Sequence, residues 1–166
     1  PKMMPDPFIR EVMDADLEAC HRIETSCFTD EEAASRESIQ TRIKTYPDGF
    51  IVAELAGTIV GMINSGATPK EDITDEAFKK MIGHDPDGKN IVIFSLSVLP
   101  AYQGQGIAKA LMNAFIKRAA TLGKKRILLL CKDYHIHFYE KLGYRHMGIS
   151  GSHHGGFEWH EMSLDM

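Results

Sequence analysis

The apolar residues of this chain switch repeatedly between strand-like alternation and helical spacing, and the switches predict an ordered set of short elements. Phe8 to Met13 reads as a first strand, and Asp14 is placed to cap an amphipathic helix carrying Leu17, Cys20 and Ile23 on one face. After Cys27-Phe28, an acidic, small-residue segment leads into a second helix over Ser35 to Thr45, which Pro47 and Gly49 terminate. Phe50 to Leu55 and Thr58 to Thr68 predict a hairpin about Ala56-Gly57. Pro69 to Lys89 is polar, with a short helical pattern near Asp75 to Ile82, and reads as an insertion over a sheet. Ile91 to Val98 is expected as a buried strand, Arg126 to Cys131 as another, and His135 to Leu142 as a short helix. Strands near Arg145 to Ser150 and Phe157 to Leu164, joined by a Gly- and His-rich loop, close the chain.

Between the strands at 91–98 and 126–131 lies the longest helical pattern, Gly106 to Leu122. Ile107, Ala110, Leu111, Ala114, Phe115, Ala119 and Leu122 recur at helical spacing there. Just before it, Gln103-Gly104-Gln105-Gly106 puts two glycines at a strand-to-helix turn. Such a turn lets the backbone approach an anion, and the first amides of the helix supply donors and partial positive charge, which suits a pyrophosphate. A turn of this kind can also be a tight connection that binds nothing. A P-loop is excluded because Ile107 and Ala108 stand where Lys and Ser or Thr would be needed. A dinucleotide fold normally carries its fingerprint in the first strand-helix unit, whereas this turn lies past the middle of the chain, although Asp133 could imitate the ribose-binding acid.

Composition narrows the partners. The 166 residues read as one domain, 1–166, long enough to bury about two thirds of the unfolded surface in a single core. A net charge of −4 and the lack of a long basic run argue against nucleic acid. Lys124-Lys125-Arg126 reads as a solvated turn, or at most a contact for a ligand phosphate. Cys20, Cys27 and Cys131 are odd in number with no metal-ligand spacing, so neither a disulfide framework nor a zinc site is expected, and the thiols read as reduced and cytosolic. No apolar run approaches the roughly 20 residues of a membrane span, and Pro1-Lys2-Met3-Met4-Pro5 lacks the apolar core of a signal peptide. The expected location is cytoplasmic, without membrane contact.

The turn, its lead-in Val98-x-Pro100-x-Tyr102 and the later Phe138-Tyr139-Glu140-Lys141-Leu142-Gly143-Tyr144 together resemble the GNAT superfamily of N-acetyltransferases, whose coenzyme A motif reads Gln/Arg-x-x-Gly-x-Gly/Ala. Gln103 to Ala108 matches every fixed position, and the order of elements is that of the family. The resemblance implies an α/β (α+β) fold with a mixed, mostly antiparallel sheet of about seven strands flanked by about four helices. It implies acetyl-CoA as cosubstrate, with the pyrophosphate on the backbone of Gln103, Gly104, Gln105, Gly106, Ile107 and Ala108, and Gln105 and Lys109 as side-chain contacts. Pantetheine would run along Leu96, Ser97 and Val98 as a false extra strand, where a backbone amide can stabilise the thioester oxyanion.

Tyr139 matches the family's general acid, since a phenol with a pKa near 10 is protonated at neutral pH and can give its proton to the departing thiolate. Residue type alone reads it as a core tyrosine. Leu130-Cys131-Lys132-Asp133 and Glu24-x-x-x-Phe28 are most similar to the arylalkylamine (serotonin) N-acetyltransferase branch, in which Phe28 would line the acceptor site and the loop from Cys27 to Ser35 would border the amine pocket. Where vertebrate members of that branch carry a His-x-His pair, this chain has Val92 and Phe94. The base is left open among Glu24, Glu54, His84, His135 and His160, with Ser95 and Ser97 able to orient water. Asp30-Glu31-Glu32 could attract a cationic amine but reads more simply as a solvated face. His153-His154 and His135-x-His137 lack the further ligands of a metal site, so no metal is expected. Met3, Met4, Met81 and Met112 read as core filler or tail. The leading expectation is an acetyl-CoA-dependent N-acetyltransferase for a small primary amine, with the exposed edge of the sheet allowing a homodimer. The competing readings are a protein amino-group acetyltransferase, a coenzyme A or metabolite sensor without transfer, and a nucleotide-binding fold.

Overall fold

The computed structural model describes residues 6–166, so Met3 and Met4 lie outside the described residues. Seven strands form one sheet in the order β1-β2-β3-β4-β5-β7-β6. They are β1 (Phe8–Glu11), β2 (Ile51–Leu55), β3 (Thr58–Thr68), β4 (Asn90–Val98), β5 (Arg126–Cys131), β6 (Arg145–Ile149) and β7 (His160–Asp165). Every neighbouring pair is antiparallel except β4 and β5. The helices are α1 (Leu17–Cys27), α2 (Arg36–Thr45), α3 (Ile107–Thr121) and α4 (Ile136–Lys141). This is the expected mixed α/β sheet with four helices.

Alternation along the strands divides the core between two faces. On β2 and β3, Val52 and Met62 pack with Leu17, Cys20 and Ile23 of α1 and Ile39 and Ile43 of α2. Ile51 and Ile63 point the other way, into a larger core with Leu111, Met112, Phe115 and Ala119 of α3. Met81 and Met112 are both buried there, as core filler. Gly61 lets α3 lie close to the sheet, since a Cβ there would meet Leu111 Cδ1 at 3.0 Å. The β2–β3 turn places Ala56 at φ 51° and Gly57 at φ 79°, the left-handed pair that a two-residue hairpin requires.

Two local expectations are corrected. Asp14 does not cap α1: it opens a 3-10 turn, Asp14–Asp16, and Asp16 supplies the carboxylate that accepts from the Met13 amide at 2.7 Å. Asp16 also binds Arg10 at 2.7 Å, so the third residue of the turn, not the first, fixes the entry to the helix. Lys124 is not part of a solvated basic turn. Its side chain is buried, and its Nζ donates to Pro86 O at 2.6 Å and Gly88 O at 2.7 Å, pinning the 69–89 insertion to the end of α3. Arg126 is likewise engaged, by Glu71 and Asp165. Removing the Lys124 ammonium orphans two carbonyls, so Lys124→Met is expected to lower unfolding free energy by about 2 kcal/mol, read as a shifted midpoint in urea.

The parallel pair is short. β4 and β5 are in register only from Asn90↔Arg126 to Ile93↔Leu129, although β4 continues to Val98 and β5 to Cys131. The register of β4 with β3 also slips there, from Ser65↔Ile93 to Asn64↔Ser95, leaving Phe94 as the extra residue of a bulge. A bulge bends its strand, and beyond Ile93 the two parallel strands part.

Candidate active site

The glycine turn lies at the end of the parted strand. A 3-10 turn, Pro100–Tyr102, follows β4, Gly104 and Gly106 take φ 78° and 85°, and Gly106 is the N-cap of α3. Side chains at those angles are strained, which explains glycine at both. Ala110 is the first helix amide with a partner, on Gly106 O, and the amides of 104 to 109 donate to no acceptor among the described residues. A run of free amides at the start of a helix of 15 residues fits a pyrophosphate. Not every residue of the expected contact set is free: Gln103 Nε2 donates to Val98 O at 3.0 Å, and the Ile107 side chain is buried in the core, so Ile107 offers only its amide. Gln105 and Lys109 are exposed.

The strand end has donors of its own. Leu99 N donates to Val60 O across β3. Because peptide groups alternate along a strand, those of Val98 and Leu96 face away from β3, into the gap that β5 has left. Val98 O is held there by Gln103 and by the Cys27 thiol at 3.2 Å, which ties the end of α1 to β4. Ser97 Oγ is buried without a hydrogen-bond partner among the described residues.

Tyr139 stands on α4, which follows β5, with its ring edge-on to Phe138 and Tyr144. It is 8% exposed and its hydroxyl makes no hydrogen bond among the described residues. Burial pushes its pKa well above the ordinary phenol value, and Cys131 at the end of β5 adds to the rise. It does not line the cavity described next.

That cavity, of about 490 Å³, opens on the α1 and α2 side of β4 and reaches the parting strands at Val92, Ile93, Phe94, Ser95 and Leu130. Phe28 lies in its wall, and the neighbouring loop at 32–35 borders it. The 69–89 insertion closes another side through Ile73 and Phe78, and His154 and Trp159 reach it from the C-terminal loop. Two buried charges face into this space. Glu24 accepts from Ala34 N at 2.9 Å and from Ser95 Oγ at 2.8 Å. Arg42 donates through Nε to Lys79 O at 3.2 Å and through one terminal nitrogen to Asn64 Oδ1 at 2.9 Å, with its guanidinium 4.7 Å from the Phe94 ring centroid. Burial lowers the Arg42 pKa to about 10, against the pull of Glu24.

Sequence reasoning missed Arg42 because α2 is polar overall. The available signal was its spacing: Arg42 falls three residues after Ile39 and next to Ile43, on the buried stripe of the helix. The acidic run is corrected at one position: Asp30 and Glu31 are exposed, as expected of a solvated face, but Glu32 is not. It is buried, accepts from Thr29 N at 3.0 Å and pairs with Lys132 at 2.9 Å, while Lys132 stands 3.8 Å over the Phe157 ring. His154 is tied to the same loop through Glu32 O at 2.9 Å.

Of the candidate bases, Glu24 alone lines the cavity. Glu54 pairs with Arg10 at 2.7 Å. His84 accepts from Ala67 N at 3.0 Å and packs on Tyr46, and burial lowers its pKa. His160 is 2.9 Å from His146, and His135 packs on Tyr134. Among the described residues no group of three His, Cys, Asp or Glu side chains could hold a metal ion, and no helix is long and apolar enough to cross a membrane.

The chain is similar to known proteins in fold and in sequence. The loading GNATL domain of CurA from Lyngbya majuscula superposes with a TM-score of 0.87 at 19% identity, covering 97% of this chain and 98% of that one. The structure of yncA, a putative acetyltransferase from Salmonella typhimurium with its cofactor acetyl-CoA, superposes at 0.70 with 17% identity, over 97% and 94% of the two chains. In sequence, the uncharacterized N-acetyltransferase YkwB of Bacillus subtilis (strain 168) is 27% identical over 131 residues, 72% of this chain and 58% of that protein. The chain spans 25% of the length of one curated relative it matches, and 58% and 63% of two others. The sequence profile of the acetyltransferase (GNAT) family matches residues 17–144, and the chain belongs to that family.

Proposed function

We propose that the protein transfers the acetyl group of acetyl-CoA to the amino group of a small molecule. The observation that carries this reading is the parting of β4 from β5 beyond Ile93, which leaves one gap between two prepared surfaces. On one side lie the free amides of 104 to 109, and on the other the cavity with Glu24 and Ser95 in its wall. Pantetheine would lie in the gap against the Leu96 and Val98 peptide groups, with Lys109 and Gln105 at the phosphates and Phe28 beside the acceptor.

In the reaction the amine nitrogen bonds to the acetyl carbon, the carbon–sulfur bond breaks, and the thiolate takes a proton. Tyr139 is the donor of that proton, because burial raises its pKa and the phenol keeps its proton at neutral pH. The incoming amine loses a proton to Glu24, directly or through water held by Ser95. Val92 and Phe94 contribute only apolar wall, so the histidine relay of the serotonin N-acetyltransferase branch has no counterpart, and Glu24 replaces it. Release of free thiol from acetyl-CoA, followed with a panel of primary amines, tests the reading. Amine-dependent release is expected, and release no faster than hydrolysis with every amine overturns it.

A further inference from the structure

We infer that the acceptor carries a carboxylate on the same small scaffold as its amine, and that Arg42 recognises it. The inference rests on the transferase reading and names its substrate class. Arg42 is 3% exposed, yet no carboxylate lies within 4.0 Å of its guanidinium among the described residues. Its contacts are two neutral oxygens and the Phe94 ring, and its second terminal nitrogen has no partner there. A buried guanidinium is ordinarily matched by an anion, because neutral acceptors recover only part of its lost hydration.

The other charges around the cavity are matched. Glu32 pairs with Lys132, and Glu76 pairs with Lys79 at 3.5 Å and lies 3.2 Å from His154. Asp75 accepts from Ala77 N, and Lys80 is exposed to solvent. That leaves Glu24 and Arg42, opposite in sign, both buried, facing one cavity from α1 and α2 and too far apart to pair. A molecule with an amine at one end and a carboxylate at the other bridges them. Ser95 puts the Glu24 end next to the parted strands, where the amine must be, and the guanidinium fork suits a carboxylate at the other end. An amino acid or a close derivative meets both demands, and the apolar wall of Ile73, Phe78 and Phe94 remains for its side chain.

Matched pairs decide it: phenylalanine against phenethylamine, and glutamate against 4-aminobutyrate with its displaced carboxylate, each assayed by thiol release. At least one α-amino acid is expected to have kcat/KM tenfold or more above its decarboxylated partner. Arg42→Met is expected to abolish that preference by raising KM for the amino acid while KM for acetyl-CoA stays constant, and Arg42→Lys is expected to restore part of it. If Arg42→Met does not fold, the comparison of paired substrates on the wild-type protein remains decisive. Turnover of decarboxylated amines at equal or higher efficiency overturns the inference and leaves the transferase reading standing. No turnover with any amine overturns both.

Discussion

Gly106→Val is expected to raise the KM for acetyl-CoA by tenfold or more while the protein stays folded. Gly106 holds φ 85° at the cap of α3, where a β-branched residue is strained by roughly 1–3 kcal/mol. A Cβ there meets nothing within 4 Å in the protein itself, so it projects into the space where a pyrophosphate would approach the free amides. The strain is relieved by rotating the turn, and rotation turns those amides away from the ligand. Gly57→Val is the control, because Gly57 has φ 79° and equally open surroundings in the β2–β3 hairpin, remote from the turn. Equal losses of thermal stability are expected in both variants, with the KM effect confined to Gly106→Val. Should the two variants match in KM as well, the turn is a connection and not a cradle.

Tyr139→Phe is expected to lower kcat about 100-fold with little change in stability or in KM. The reason is the unpartnered hydroxyl: deleting it leaves no orphaned donor or acceptor in the core. Tyr144→Phe serves as the comparison, since its hydroxyl contacts Met112 sulfur at 3.2 Å inside the protein and should not affect turnover. Burial raises the Tyr139 pKa, so the folded protein holds this proton more tightly than the unfolded chain. The associated stability is complete below the ordinary tyrosine value of about 10 and declines as pH rises past it. Cys20 and Cys131, both pushed up to about 12 by burial, act in the same direction. Alkaline inactivation should therefore coincide with unfolding by circular dichroism. An alkaline limb in kcat that lies below the ordinary tyrosine value of about 10, with the fold intact, would mean that a group other than Tyr139 supplies the proton.

The element order is legible in the sequence because each element is short and its period unambiguous. Arg126–Cys131 ends with its apolar run and begins one residue before it, and Ser35 caps α2 by accepting from Ser38 N at 3.1 Å. The glycine turn is legible for a different reason, since positive φ leaves few choices of residue. Asp14 misleads because two acids two residues apart offer the same cap, and only the position of Arg10 selects Asp16. Lys124 and Glu32 look solvated in sequence because their partners, the carbonyls of Pro86 and Gly88 and the ammonium of Lys132, are distant along the chain. Arg42 belongs to the same class: the groups that hold it, Asn64 and the Lys79 carbonyl, are brought to it by β3 and by the insertion. Local pattern reports an element's own geometry, while the partner of a buried charge is a property of the assembled fold.

The single parallel pair has a consequence for how this protein could be altered. Parallel strands end at the same edge, so the turn after β4 and the α4 tyrosine after β5 are delivered together by one stretch of chain, from Asn90 to Tyr144. β4 and β5 give the cavity Val92, Ile93, Phe94, Ser95 and Leu130, and the rest of its wall is assembled from elsewhere: α1, α2, the 69–89 insertion and the C-terminal loop. On the proposed reading, a graft that exchanges the insertion and α2 would change much of the acceptor wall while leaving the glycine turn and α4 in place.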